Sequence, residues 1–143
     1  MKRKVLIILF SLIVFLTITG CHKKTNINVD YFDVEKRINI IVDNGPQASS
    51  NPFQYIEASK NVYDELLQHP KETFEYSVKD LIKTNASNGL KSYIEALLCK
   101  EINKNFEYDF ATANDYLNHY KEFLSTNDLN FNKYDEYAQS LLK

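Results

Sequence analysis

The sequence predicts an all-α fold, a small bundle of short antiparallel helices that follows a cleaved signal peptide. The first observation is spacing: along most of the chain, apolar residues recur every three or four positions, the period of one helix face. The second is that only a few residues separate the helical segments, which favours antiparallel packing of neighbours. The third is composition, because the 143 residues include only 3 glycines, and no strand–helix alternation with glycine-rich turns is present.

The first 20 residues have the pattern of an export signal. MKRK supplies three positive charges, and residues 5–20 form a run of sixteen residues without any charge. A bilayer-spanning helix needs about 20 apolar residues, so this run is short for a span. A basic start followed by a short apolar segment is typical of a signal peptide. We therefore expect residues 1–20 to be removed on export.

The signal ends in the letters ITGC, residues 18–21, which resemble the lipobox of bacterial lipoproteins. In that family a diacylglycerol is attached to the cysteine thiol, the strongest nucleophile that the chain offers at neutral pH. The resemblance implies cleavage between Gly20 and Cys21 and a lipid anchor on Cys21, at the outer face of the cell membrane. Two acyl chains hold firmly, since each buried CH₂ adds about 0.8 kcal/mol. The alternative is an uncleaved anchor helix, with Lys23 and Lys24 as its flanking charges.

Residues 21–30 read as a short polar tether, and residues 31–50 as an N-terminal helix with a linker. The apolar residues of this helix have helical spacing: Tyr31, Val34, Ile38, Ile41 and Val42. Asp30 is placed to cap its start, and the Asn-Gly pair before the linker is placed to end it. A short strand pair over residues 27–42 is the alternative, because apolar and polar residues also alternate there.

Residues 51–143 form the predicted helical domain. It opens on an Asn-Pro pair, a cap followed by a first-turn proline. Pro70 starts a further helix, and Thr112 with Asp115 forms a capping signature for another. The strongest apolar stripe follows residue 89: Leu90, Tyr93, Ile94, Leu97, Leu98 and Ile102. The opposite face of that helix is assigned to solvent: Lys91, Ser92, Glu95 and Lys100.

Part of this domain is similar to an uncharacterised helical domain of Gram-positive bacteria. The similarity covers residues 51–102, through NPFQYIEASKNVYDELL and GLKSYIEALLCKEI. The related domain occurs in small lipoproteins and near the ends of some membrane-bound sensor-type proteins. The resemblance implies a helical fold and an extracytoplasmic, Gram-positive setting, and it supplies no catalytic residue. Between the two matching stretches, HPKETFEYSV departs from the glycine-containing turn usual in that domain.

Composition limits the classes of function. Without Lys2, Arg3 and Lys4, the 17 basic residues fall to 14 against 19 acidic ones, a net charge of −5. Such an acidic domain is a poor candidate for nucleic acid, so we expect membrane lipid to be reached through the acylated Cys21 alone. A two-lobed solute-binding protein needs about twice this length. Cys99 has no second cysteine to pair with after lipidation, and its place beside the apolar stripe predicts a buried, unreactive thiol.

Two patterns are candidates for chemistry. His119 lies one helical turn after Asp115, as a base and its orienting carboxylate would, but such pairs are also common on helix surfaces. Residues 128–139, DLNFNKYDEYAQ, partly match a calcium loop, yet Lys133 replaces its glycine and Gln139 its bidentate glutamate. A polar loop that caps the next helix is the favoured interpretation. We expect no catalytic residue, no metal and no cofactor.

These observations predict a non-enzymatic lipoprotein, a binding or accessory module of the immunity or regulator kind. Its partner is expected to be a protein or peptide, since tyrosines beside aliphatic stripes make good interface anchors. One alternative is a small cell-envelope hydrolase that uses His119 and Asp115. Another is a pheromone precursor, in which the released peptide comes from LIVFLTIT at residues 12–19.

Overall fold

The computed structural model describes residues 31–126 and 130–143. Within those ranges the chain forms helices and no strand, which confirms the all-α prediction. We number the helices in chain order: α1 (Val34–Asn44), α2 (Pro52–Ala58), α3 (Lys60–Gln68), α4 (Pro70–Thr84), α5 (Leu90–Ile102), α6 (Ala113–Ser125) and α7 (Lys133–Leu141). None of the helices in the described part of the chain has the length and hydrophobicity to cross a bilayer.

A strand pair over residues 27–42 was the alternative to the first helix. Helix α1 covers residues 34–42 of that stretch, and the described residues of the stretch form no strand. It begins after Asp33, whose carboxylate accepts the backbone N–H of Lys36 at 3.0 Å. The predicted cap, Asp30, was therefore wrong by one turn. The buried residues follow the expected spacing: Val34, Ile38 and Ile41. Tyr31 does not belong to this face, because it precedes the helix and is 84% exposed.

The remaining start signals are confirmed by the capping contacts. The Asn51 side chain accepts the N–H of Phe53 at 3.0 Å, directly before the first-turn proline of α2. Pro70 is the first residue of α4. At the start of α6, the Thr112 hydroxyl accepts the N–H of Asp115 at 3.1 Å. These local contacts satisfy N–H groups that the first turn of a helix leaves unpaired.

Two hydrophobic clusters form the core and lie on opposite sides of α5. The N-terminal cluster joins α1, α2, α3 and one side of α5: Val34, Ile38, Ile41, Tyr55, Tyr63, Leu66, Ile94 and Leu98. The C-terminal cluster joins α4, α6, α7 and the other side of α5: Phe74, Val78, Leu81, Ala86, Ala96, Cys99, Phe106, Ala113, Tyr116, Leu117, Tyr120, Leu124 and Ala138.

Helix α5 is therefore buried on nearly its whole circumference. Ser92 and Glu95 are fully buried, so their assignment to a solvent face was wrong. The physical reason is that α5 packs against α4 and α6 on the side away from the N-terminal cluster. A helix in the middle of a bundle keeps only a narrow face for water.

Candidate functional site

A surface groove of about 480 Å³ lies where α2, α5 and α6 begin and α4 ends. Small and uncharged residues form its lining: Ser50, Pro52, Ala86, Ser87, Gly89, Leu90, Tyr93, Ala111, Thr112, Ala113 and Asn114. The volume is within the range of about 300–1,000 Å³ that is common for ligand pockets. The groove offers hydroxyl and amide groups and short apolar surfaces, and none of the described residues that line it is acidic or basic.

The turn between α4 and α5 shapes one wall of this groove. Asn85 and Ala86 have φ of 50° and 53°, and Gly89 has φ of 56°. These left-handed residues end α4 and reverse the chain within five residues, so that α5 runs back along α4. The side-chain amide of Asn114 donates to the Asn85 carbonyl at 3.1 Å and ties the start of α6 to the turn.

A second feature, buried between α4 and α5, is a cluster of ionisable side chains. Lys91 Nζ lies 3.0 Å from Asp80 Oδ2 and 3.0 Å from the Tyr76 hydroxyl. It lies 3.5 Å from Glu95 Oε1. Both Glu95 oxygens are buried, and neither accepts a hydrogen bond from a described residue. We call these four residues the Glu95 cluster.

The Glu95 cluster has shifted pKa values with clear causes. Burial raises the pKa of Glu95 to about 8, and the negative charge of Asp80 acts in the same direction. Lys91 opposes both effects without overcoming them. For Lys91 itself, burial lowers the pKa, but hydrogen bonds to Tyr76 and Asp80 outweigh burial and raise it above its usual value.

A third feature is a buried polar network around Asp135. Its Oδ1 accepts from Asn103 Nδ2 at 2.6 Å and from the Tyr120 hydroxyl at 2.9 Å. Its Oδ2 accepts from Asn105 Nδ2 at 2.6 Å and from the N–H of Asn132 at 3.1 Å. The network joins the end of α5, the middle of α6 and the start of α7. All four acceptor positions of the Asp135 carboxylate are used, so we assign this network a structural role that connects the three helices.

The sequence analysis missed this network, although one half of it is visible as a capping pattern. Asn132 lies three residues before Asp135, and the two side chains form a reciprocal capping box at the start of α7. The other half comes from the end of α5, about thirty residues earlier, and its Asn103 reaches Asp135 only through the fold.

The calcium-loop stretch acts as the polar cap that the sequence favoured. Asn132 caps α7, and Gln139 donates from its amide to the Leu124 carbonyl at 3.1 Å. Asp128, the first position of the pattern, lies outside the described residues. Over residues 31–126 and 130–143, no group of three or more His, Cys, Asp or Glu side chains is placed to hold a metal ion.

His119 and Asp115 are brought together as their spacing predicts. His119 Nδ1 lies 3.0 Å from the Asp115 carbonyl oxygen and 3.3 Å from its Oδ1. The imidazole stacks on Tyr108 with ring centroids 4.1 Å apart. The other Asp115 oxygen accepts the N–H of Ala111. The pair is thus engaged in holding the start of α6, and no described serine, threonine or cysteine side chain is hydrogen-bonded to His119.

The structure tests the prediction for only one of the two cysteines. Cys99 is fully buried with a free thiol, as predicted, and burial raises its pKa well above the usual value. The lipidation residue Cys21 and the cleavage residue Gly20 lie outside the described residues.

No protein-family model, no curated protein and no solved structure matches this chain. The similarity of residues 51–102 to a helical domain of Gram-positive lipoproteins therefore stays a prediction.

Proposed function

We propose that this protein is a lipoprotein at the outer face of a bacterial, Gram-positive cell membrane. A diacylglycerol on Cys21 holds it there, and the helical domain serves as a non-enzymatic binding or accessory module. One observation carries the proposal: a basic MKRK start, an uncharged run over residues 5–20 and Cys21 directly after Gly20. A lipoprotein export signal combines a short uncharged run with a cysteine directly after it, and the chain has both features.

The groove is the surface on which we place the partner, a neutral segment of a protein or peptide. Among the described residues, its lining has no acidic or basic side chain. A charged side chain entering it would leave water without gaining an ionic partner, which is unfavourable. Leu90 and Tyr93 offer apolar contact, while Ser87, Thr112 and Asn114 offer hydrogen bonds to an extended backbone.

The anchor is tested by replacing Cys21→Ser. We expect uncut precursor and loss of labelling by a fatty-acid analogue in growing cells, because the acceptor thiol is gone. Cys99→Ser is the matched control, and it should keep the label since that thiol is buried. Labelling of the Cys21 variant at the normal level would overturn the proposed anchor.

The groove is tested by site-specific photo-crosslinking in intact cells. A photoreactive residue at Ser87, inside the groove, should give a cross-linked product whose peptide is identified by mass spectrometry. The same residue at Asn118, exposed on α6 and outside the groove lining, should not. Ala111→Trp, combined with the Ser87 probe, should fill the groove and remove the product, because Ala111 is an exposed residue of the lining. Equal products at both positions would show that the groove is not the binding surface.

A further inference from the structure

The Glu95 cluster contains more acidic than basic side chains. Two carboxyl groups, Asp80 and Glu95, share one lysine, and Lys91 Nζ lies closer to Asp80 at 3.0 Å than to Glu95 at 3.5 Å. Glu95 has no exposed surface, and neither of its oxygens accepts a hydrogen bond, so the distant ion pair with Lys91 is its polar contact among the described residues. An ionised carboxylate in this position would leave acceptors unpaired in the core, which is costly.

We propose that Glu95 is a proton-binding site, at which the folded domain holds a neutral carboxylic acid beside the Asp80–Lys91 ion pair. Release of this proton weakens the contact between α4 and α5. Asp80 and Glu95 both lie within 3.5 Å of Lys91 Nζ, so two ionised carboxylates would share a single positive charge, and a proton on one of them relieves their repulsion. We assign the proton to Glu95, because its side chain is fully buried and lies farther from Lys91 than that of Asp80.

Charge in the cluster balances only with this proton in place. Lys91 and Asp80 cancel, and a neutral Glu95 adds nothing. An ionised Glu95 would leave one excess negative charge in the interface between α4 and α5. The burial of this excess charge, which Lys91 already shares with Asp80, disfavours the folded state.

Besides Lys91, the ionisable groups among the described residues that act on the Glu95 cluster or its neighbours are acidic or neutral. Glu35 of α1 acts on Tyr76, and Cys99 of α5 lies near Glu95. Tyr63 of α3 and Tyr116 of α6 lie near Cys99 in turn. Arg37 of α1 forms an ion pair with Glu65 of α3 at 2.7 Å. The proton is therefore the ligand that this site takes.

The direction of the pH effect follows from the pKa of Glu95. In the unfolded chain its value is the ordinary 4.5, and in the folded protein it is raised to about 8. The stabilising contribution is complete below about pH 4.5. It is lost as pH rises towards 8, because the unfolded chain releases the proton first. The inference concerns the domain alone and does not depend on the lipid anchor.

The test is urea unfolding of the full chain in mild detergent between pH 5 and pH 9. For the parent, the ratio of folded to unfolded protein should fall by up to tenfold per pH unit between about 5 and 8 relative to Glu95→Gln. Glu95→Gln has the shape of the neutral acid and should remove this slope. Glu107→Gln, an exposed glutamate in the loop after α5, is the matched control and should keep the parent profile.

A second measurement decides the matter even if Glu95→Gln does not fold. The ¹³C chemical shift of the assigned Glu95 carboxyl carbon in the parent protein should titrate near pH 8. A midpoint near 4.5 would overturn the proposal, as would a Glu95→Gln variant with the pH profile of the parent.

Discussion

The two hydrophobic clusters differ in the type of side chain that fills them, although α5 contributes to both. The N-terminal cluster is mainly aliphatic, with isoleucine, leucine and valine from α1, α3 and α5. The C-terminal cluster is aromatic at its centre, where Phe106 lies within 6.1 Å of Tyr108, Tyr116, Tyr120 and Phe123. The C-terminal cluster also borders the Asp135 network, in which five side chains or backbone groups are matched in position.

This difference separates two ways of specifying a structure. Aliphatic packing depends on volume, so side chains of similar size are exchanged at a small cost. A buried polar network depends on the position of single atoms, because one wrong partner leaves other groups unpaired. The N-terminal cluster should therefore tolerate conservative changes, and the C-terminal cluster should not.

Phe106→Ala should have the largest effect. Phe106 is nearly buried in the loop after α5, and its ring contacts four others, so we expect a loss of about 3–5 kcal/mol in the free energy of unfolding. Urea unfolding followed by circular dichroism measures it. Phe53→Ala is the control, since Phe53 is 57% exposed and should cost under about 0.5 kcal/mol. Similar losses for both would mean that the aromatic centre is not where the stability lies.

Leu98→Ala tests the N-terminal cluster. Leu98 has no exposed surface, and the cavity left by its truncation should cost about 2–5 kcal/mol. Leu98→Met keeps the volume and should cost under about 1.5 kcal/mol. If the methionine variant melts at as low a temperature as the alanine variant, the aliphatic cluster tolerates conservative substitutions no better than the aromatic one. The proposed difference between the two clusters would then be wrong.

Asp135→Asn makes the smallest possible change of shape in the C-terminal cluster. One of the two oxygens becomes an amide nitrogen, which then faces groups that are themselves donors. We expect a loss of about 1–3 kcal/mol in unfolding free energy, despite unchanged volume. Asp109→Asn is the control, because the Asp109 side chain is fully exposed beside Lys100. A variant at Asp135 as stable as the control would show that the network adjusts without cost.

Much of the fold was predictable because its helix starts are local. Asn51, Pro70 and Thr112 act within three residues, so their capping roles follow from sequence spacing. The start of α1 shows the limit of this reasoning. Asp30 and Asp33 are both suitable caps, and spacing alone selected the wrong one.

The candidate sites were mostly not predictable, because they depend on which helices meet. Helical periodicity assumes one buried face, and this assumption assigned Glu95 to solvent although α4 covers it. The groove is formed by helix ends that are distant in sequence, without any motif of their own. The pair of His119 and Asp115 was predictable because its four-residue spacing is local.

The last prediction compares two histidines that each stack on an aromatic ring at the edge of a cluster. His119 stacks on Tyr108 at 4.1 Å beside the C-terminal cluster, and His69 stacks on Phe32 at 3.8 Å beside the N-terminal cluster. An aromatic pair contributes about 0.5–1.5 kcal/mol beyond burial, so each histidine changed to alanine should cost roughly that amount.

His119→Ala should cost slightly more than His69→Ala. Its Nδ1 also donates to the Asp115 carbonyl at 3.0 Å, a partly buried hydrogen bond that adds about 0.5 kcal/mol. Thermal melting of the two variants beside the parent measures the difference. A larger loss of stability for His69→Ala than for His119→Ala would contradict this prediction. It would show that the stacking of His69 on Phe32, beside the N-terminal cluster, contributes more to stability than the contacts of His119 beside the C-terminal cluster.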